Sequence, residues 1–335
     1  MTRSVTLLVV VLNYRTPDMT ADAVDAALKE MEELRGHLIL VDNDSGDGSF
    51  ERLQRASQKR GWGDRVTLVE SGHNGGFGAG NNFGIRTGLK LVSPDYVYIL
   101  NSDAFPDKGA ICRLVDVMEA RPEVGIAGSY IHGPDGAPHI TAFRFPTIKG
   151  EFEGAARVGP VSRVLDRHVV PLPLPKETCE VDWLAGASMI IRPELLEVIG
   201  LFDERFFLYF EETDLCLRAR RAGWTTVYVR DSEVTHIGSV STGMKTWSRM
   251  PTYWFDSRRY YFTMNHGKFY AAFATMAHFA GGCLWRVWRV LTRKDRRDPD
   301  RFLLDLIAHD LRWRAPNARA APSYSPLPHT KGGVS

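Results

Sequence analysis

A chain of 335 residues that is 44% hydrophobic and 24% charged has the composition of a folded enzyme and the length for one large or two ordinary domains, which argues against disorder. A net charge of +2 is too mild to make nucleic acid a partner, although basic residues thicken after Arg249, where a local partner such as a membrane surface is expected. The four cysteines, Cys112, Cys179, Cys216 and Cys283, form no CxxC pair, so neither a zinc site nor a disulfide scaffold is supported and a reducing compartment fits.

The first element is the β-branched run Val5 to Leu12. Asn13-Tyr14-Arg15 stands where a signal peptide would carry small cleavage-site residues, so this run reads as a buried strand. Thr16-Pro17 then offers a helix cap and a first-turn proline. The alternation repeats. "HLILVDN", "RVTLVES" and "DYVYIL" read as strands; "GSFERLQRASQKRG", "GAGNNFGIRTGLKL" and "KGAICRLVDVMEARP" read as helices. Such a series predicts an α/β fold with a mostly parallel central sheet flanked by helices, its ligands at the carboxyl ends of the strands.

After "VGIAGSYI", "HGPDGAPHI" reads as a hairpin turn, and residues 146 to 178 as proline-bearing loops of the kind that set substrate choice. "EVDWLAGASMIIRPELLEVIG" is a strand into a short helix. "FDERFFLYFEETDLCLRARRAGW" approaches a helix that closes at Gly223, and "TTVYV" and "SEVTHIGS" are two short strands. From residue 252 aromatic and basic residues interleave, and the tail from Ala315 is expected to be loose.

Several clusters carry chemistry. "HNGGFGAGNNFG" fits neither the dinucleotide fingerprint, since it follows the third strand, nor a P-loop, since no Gly-Lys-Ser/Thr ends it. Glycines before a helix suit an anionic group at the free amides, or close helix packing without any ligand. "ILNSDAF" places Asn101 and Asp103 two residues apart at a strand end, where a carboxylate can hold a divalent cation or cap its own turn. Glu211, Glu212 and Asp214 start a helix, where negative charge is favourable and Asp214 can pair with Arg218. The aromatic run before the two glutamates would raise a carboxyl pKa, as a general base requires. His236, after a short strand, is either structural or a ligand.

In order, "VVVLNYRT", "VDNDSGDGS", "NGGFGAGNNFGI", "ILNSDAF", "DWLAGASMIIRPELLEVIGLFDERFFLYFEETDLCLRARRAGW" and "VTHIGS" resemble the family 2 glycosyltransferases, particularly the rhamnosyltransferase-like branch, over residues 5 to 265. The resemblance implies a GT-A fold and an inverting, metal-dependent transfer of a sugar from a nucleoside diphosphate. It makes Asn13, Tyr14, Arg15 and Asp42 nucleoside contacts, and Asn74, Gly75, Gly76, Gly80 and Asn81 the wall beside the nucleotide and diphosphate. Asn101-Ser102-Asp103 takes the place of the family's Asp-x-Asp motif. Asp103 then holds Mg2+ or Mn2+, with His236 as a further ligand. Glu212 becomes the catalytic base, where many relatives have Asp, with Glu211 and Asp214 as the other acids of its block. Gly186 leaves room for a sugar ring. The implied donor is a dTDP- or UDP-sugar, dTDP-rhamnose first and UDP-GlcNAc or UDP-galactose next. The implied acceptor is a saccharide or polyprenyl-linked saccharide of the cell surface. A non-catalytic sugar-nucleotide binding protein and a dehydrogenase are the competing classes.

The catalytic domain is expected over residues 1–250, with a nucleotide half to about 130 and an acceptor half from 131. A helical aromatic and basic extension follows over 251–312, then a tail over 313–335. Within the extension, Phe269 to Trp285 is apolar, interrupted by Gly281-Gly282 and too short for a bilayer span, so an interfacial helix is expected. That places the protein in the cytoplasm, peripheral at the inner face of the plasma membrane.

Overall fold

The computed structural model describes residues 4–238, 247–295 and 298–314; the tail expected from 315 lies outside them. The strands are β1 (Thr6–Asn13), β2 (Arg35–Asp42), β3 (Val66–Glu70), β4 (Tyr96–Asn101), β5 (Ala104–Pro106), β6 (Val124–His132), β7 (Ala142–Phe143), β8 (Cys179–Val181), β9 (Trp183–Leu184), β10 (Ser188–Ile191) and β11 (Thr225–His236). The helices are α1 (Pro17–Glu30), α2 (Ser49–Arg60), α3 (Gly76–Gly88), α4 (Ala110–Ala120), α5 (Ile148–Ala156), α6 (Gly159–Val164), α7 (Pro193–Ile199), α8 (Glu211–Arg221), α9 (Thr252–His266), α10 (Lys268–Thr292) and α11 (Phe302–Arg312).

One mixed sheet runs β3-β2-β1-β4-β10-β6-β11-β5, with β8 also paired to β11. The β3-β2-β1-β4 half is parallel. β10 enters antiparallel between β4 and β6. Because side chains alternate across a strand, Leu7, Val9 and Val11 of β1 join the core under α1 and α4, while Leu8 and Val10 join the core on the opposite face with Ile85 of α3 and Leu215 of α8. Register sets Asn13 beside Asp42 and Leu12 beside Asn101, which lines up three strand ends on one edge.

Four expectations are corrected. The two strands read in "TTVYV" and "SEVTH" are one strand, β11, with an irregularity between Val229 and Glu233. Residues 146 to 178 are not mainly loop: Thr147 accepts from the Gly150 amide as the N-cap of α5, and α6 follows. Gly281-Gly282 does not interrupt the apolar helix. α10 runs straight through the pair because a Cβ at Gly281 would lie 2.3 Å from the Phe152 carbonyl oxygen, so glycine is what lets α10 reach α5. Thr16 makes no side-chain cap; its hydroxyl turns to Asn13 and Ser102.

The C-terminal helices share a core with the residues before 250. Phe206 and Leu217 cluster with Tyr260, Tyr261, Phe262, Ala271 and Ala274. Buried Arg258 of α9 binds Glu151 of α5 at 2.8 Å and Thr275 of α10 at 3.0 Å, and His278 of α10 meets the same Glu151 at 2.7 Å. Burial alone would raise the Glu151 carboxyl; Arg258 and His278 hold it down at about 2.

Candidate active site

At the end of β1, Asn13 is fully buried and its amide nitrogen donates to Asp42 at 2.6 Å and to the Ser45 hydroxyl at 3.2 Å. Its oxygen accepts from Thr20 at 2.7 Å, so Asn13 acts on the cleft through Asp42. The Asp42 carboxylate also receives the Ser45 hydroxyl at 2.6 Å and the Ser45 amide at 3.1 Å. Arg15 adopts φ 59 and its guanidinium lies 5.0 Å from the centre of the half-buried Tyr14 ring. The Arg15 amide donates to the Ser45 hydroxyl and its Nε to the Ser45 carbonyl, which hold a stacked, charged platform at the rim of β1 and β2.

The glycine loop packs against protein. Gly76 has φ +89, and a Cβ there would overlap the Phe207 carbonyl oxygen, which instead accepts from the Phe77 amide at 3.0 Å. The Gly76 amide donates to Asn74, and Asn43 bridges Asn74 and the Gly76 carbonyl. At Gly80 a side chain would collide with Leu12 of β1. Close packing therefore explains these glycines, and the first two amides of α3 already have protein acceptors. Gly75 lies half-buried in the turn, while Asn81 is buried and its Oδ1 has no partner. Asn82, which spacing did not single out, ties α3 to the Phe202 backbone at 2.8 and 3.1 Å.

β5 explains the next pair. It is too short to read from sequence, yet its antiparallel register sets Ala104 opposite His236. That brings Asp103 Oδ1 to 3.0 Å from His236 Nε2, while Oδ2 accepts the Gly238 amide at 3.1 Å. Ser102 is buried and accepts from Thr16, and Asn101 is half-buried with its amide on the Ala187 carbonyl. One carboxylate and one imidazole at a single point fit Mg2+ or Mn2+ when diphosphate oxygens and water complete the shell. Among the described residues, the trio whose ligand atoms lie within 4.8 Å of one another is a different one, Asp107, His132 and Glu233. Glu233 is paired there with Arg230 at 2.7 Å.

The acids of α8 separate into three environments. Asp214 is committed: it holds Arg218 at 2.7 Å and Asn265 of α9 at 2.9 Å, which turns it away from the cleft. Glu211 is buried, its Oε2 has no partner, and burial with the neighbouring Glu212 pushes its carboxyl well above the ordinary range. Glu212 is half-buried, raised by desolvation, and accepts the Gly186 amide at 3.1 Å. A Cβ on Gly186 would come within 2.8 Å of Glu212 Oε1 and 3.0 Å of Phe77. Tyr209 and Phe210, both at φ 70, carry the chain into α8 through left-handed backbone that costs roughly 1–2 kcal/mol per residue. Beside them Phe207 and Tyr209 meet Tyr253 of α9 at 5.4 and 6.4 Å, an aromatic wall next to Glu212.

The space over Gly186 that was expected to take a sugar ring is filled by the Glu212 and Phe77 side chains. Strand ends with a carboxylate and imidazole, and a helix start with a glutamate packed on a glycine, are parts that a group-transfer site needs. The model of the family described as "Glycosyltransferase like family 2" matches residues 5–262. The chain belongs to glycosyltransferase family 2. This transferase is 31% identical over 233 residues to the N-acetylglucosaminyl-diphospho-decaprenol L-rhamnosyltransferase of Mycobacterium tuberculosis, covering 65% of this chain and 72% of that one. It is 30% identical over 183 residues to the low-salt glycan biosynthesis hexosyltransferase Agl10 of Haloferax volcanii, covering 55% of this chain and 53% of that one. Among solved structures, a mannosyltransferase from Pyrobaculum calidifontis in complex with GDP-Man and Mn2+ superposes with a TM-score of 0.55 at 16% identity, covering 90% of this chain and 78% of that one. The transferase has the GT-A fold, an α/β sheet flanked by helices.

Proposed function

We propose that this transferase moves L-rhamnose from dTDP-rhamnose to a hydroxyl of a polyprenyl-linked saccharide, with inversion, at the inner face of the plasma membrane. The donor and acceptor classes are supported by the M. tuberculosis relative, whose name gives an L-rhamnosyltransferase acting on a decaprenyl-linked sugar. The observation that carries the chemistry is Glu212, the half-buried acid of α8 that packs on Gly186 and accepts its amide at 3.1 Å.

A sugar hydroxyl is a weak nucleophile, and its attack on the anomeric carbon needs a base in place as the proton becomes acidic. Glu212 takes that proton. Burial raises its basicity, and the Gly186 amide fixes Oε1, which leaves Oε2 to take the acceptor's proton. One carboxylate on the face opposite the leaving diphosphate gives a single displacement and inversion, with no covalent enzyme intermediate. Tyr14 and Arg15 stack on the base, Asp42 holds the nucleoside, and Asn74 to Asn81 wall the diphosphate. A divalent cation held by Asp103 and His236 would neutralise the charge gathering on the leaving diphosphate.

Thermal unfolding with dTDP, UDP, GDP and NAD, each with Mn2+ and with EDTA, tests the donor class. A ligand that binds only the folded protein stabilises it by roughly 2.7 kcal/mol at a hundredfold excess over Kd. A shift with dTDP that EDTA removes is the expected result; a shift with UDP alone changes the donor, and one with NAD alone overturns the reading.

A further inference from the structure

α10 is apolar on two sides. Ala271, Ala274, Gly282 and Trp285 face the body of the protein, whereas Phe269, Phe273, Met276, Val287 and Val290 stand in solvent, Phe269 at 84% exposure. Spacings of 4, 3, 11 and 3 residues, each close to whole turns, put the exposed set on one helix face, a stripe roughly 30 Å long at 1.5 Å per residue. Monomeric proteins rarely leave such a face bare. The helix contains no acidic residue; its charges are Lys268, Arg286 and Arg289, followed by Arg293 and Lys294.

Between α10 and α11 lies a groove of about 530 Å³, in which Phe279, Val290 and Leu304 stand beside Arg286, Arg289 and Arg301. Among the described residues none of these three guanidinium groups has a carboxylate partner, and Asp298, at the same groove, is taken by Arg157 at 2.8 Å. Arginines without a salt bridge around an apolar slot, of which Arg286 spends one N–H on the Gly282 carbonyl at 3.0 Å, suit phosphate joined to hydrocarbon, since guanidinium forks match phosphate oxygens.

We propose that this face docks on an anionic phospholipid bilayer, with the α10 stripe among the acyl chains and Arg286, Arg289 and Arg301 on lipid phosphates. A second copy of the chain is disfavoured because the basic rim would meet itself with no acid on α10 to balance it. The helix lies on the membrane: no helix among the described residues is long and apolar enough to cross one. The surface also adjoins the site. Phe302 of α11 packs on Trp254 and Phe255 at 5.6 and 5.5 Å, in the turn of α9 that carries Tyr253 to the aromatic wall. The inference names the membrane surface within the sugar-transfer reading, and rests on that reading only for the acceptor that such docking would present.

Flotation of the full chain with vesicles of phosphatidylcholine alone, or mixed with phosphatidylglycerol, tests the docking without donor or acceptor. Binding is expected to the mixed vesicles only, and Arg286→Glu/Arg289→Glu/Arg301→Glu should weaken it roughly a hundredfold. Phe273→Ser/Met276→Ser, which changes only exposed side chains, should abolish it with thermal unfolding unchanged. Absence of binding, binding that ignores both variants, or a solution dimer that Phe273→Ser splits would overturn the proposal. Nucleotide stabilisation separates the two readings: vesicle binding lost with the dTDP shift intact removes the docking alone, and the reverse removes the sugar reading alone.

Discussion

Glu211 and Glu212 are adjacent in sequence and differ in task because α8 turns one into the core and the other toward Gly186. The folded state binds the Glu211 proton more tightly than the unfolded chain, whose ordinary value is 4.5. Its contribution to stability is therefore complete below that value and is lost as pH rises through the folded one. Glu211→Gln should flatten this slope, so that urea denaturation shows the variant gaining on wild type at pH 8 relative to pH 5. As the proposed base Glu212 works only when ionised, so its raised value should place the acid limb of the transfer rate above the usual glutamate range. Gly186→Ala should keep the fold and lose most turnover, since its Cβ would lie 2.8 Å from Glu212 Oε1; near-normal kcat would refute that packing. These roles were only partly legible. The acids stand out in "YFEETDLCLR", but no spacing shows that Asp214 is held by Arg218 and Asn265, or that residues 26 apart bring the Gly186 amide to Glu212.

The strands that carry the site were the easiest elements to read, because β1, β2 and β4 are apolar runs each ending in Asn or Asp. β5, three residues long, and α5, whose "IKGEFEGAA" holds two glycines, were not legible. Both depend on partners far along the chain: β5 on the end of β11, α5 on α9 and α10. That dependence is a testable property of the Arg258 network. Glu151→Ala would leave buried Arg258 with Thr275 at 3.0 Å and the Asp310 carboxylate at 4.0 Å as its remaining partners, and should cost about 3 kcal/mol in chemical denaturation. Since the folded Glu151 value is depressed to about 2, the stability it confers is present above the ordinary 4.5 and is lost as pH falls toward 2. A cost below about 1 kcal/mol, the range of an exposed pair, would show that the network does not anchor α5.

Across the molecule, the sheet gathers loop ends from β1, β2, β4 and β11 on one edge, and the C-terminal helices brace α8 from behind through Phe206, Leu217 and Asn265. A boundary at 250 is visible in composition yet cuts through this shared core, so a chain ending there should lose cooperative unfolding and catalysis together. Whether Glu212 is the base of a sugar transfer is decided by comparing Glu212→Gln with wild type in two measurements on one preparation. One is thermal stabilisation by dTDP with Mn2+; the other is transfer of rhamnose from dTDP-rhamnose to a polyprenyl-diphosphate-linked N-acetylglucosamine. An unchanged nucleotide shift with transfer reduced at least about a hundredfold is expected; near-wild-type transfer by the variant would show that Glu212 is not the base.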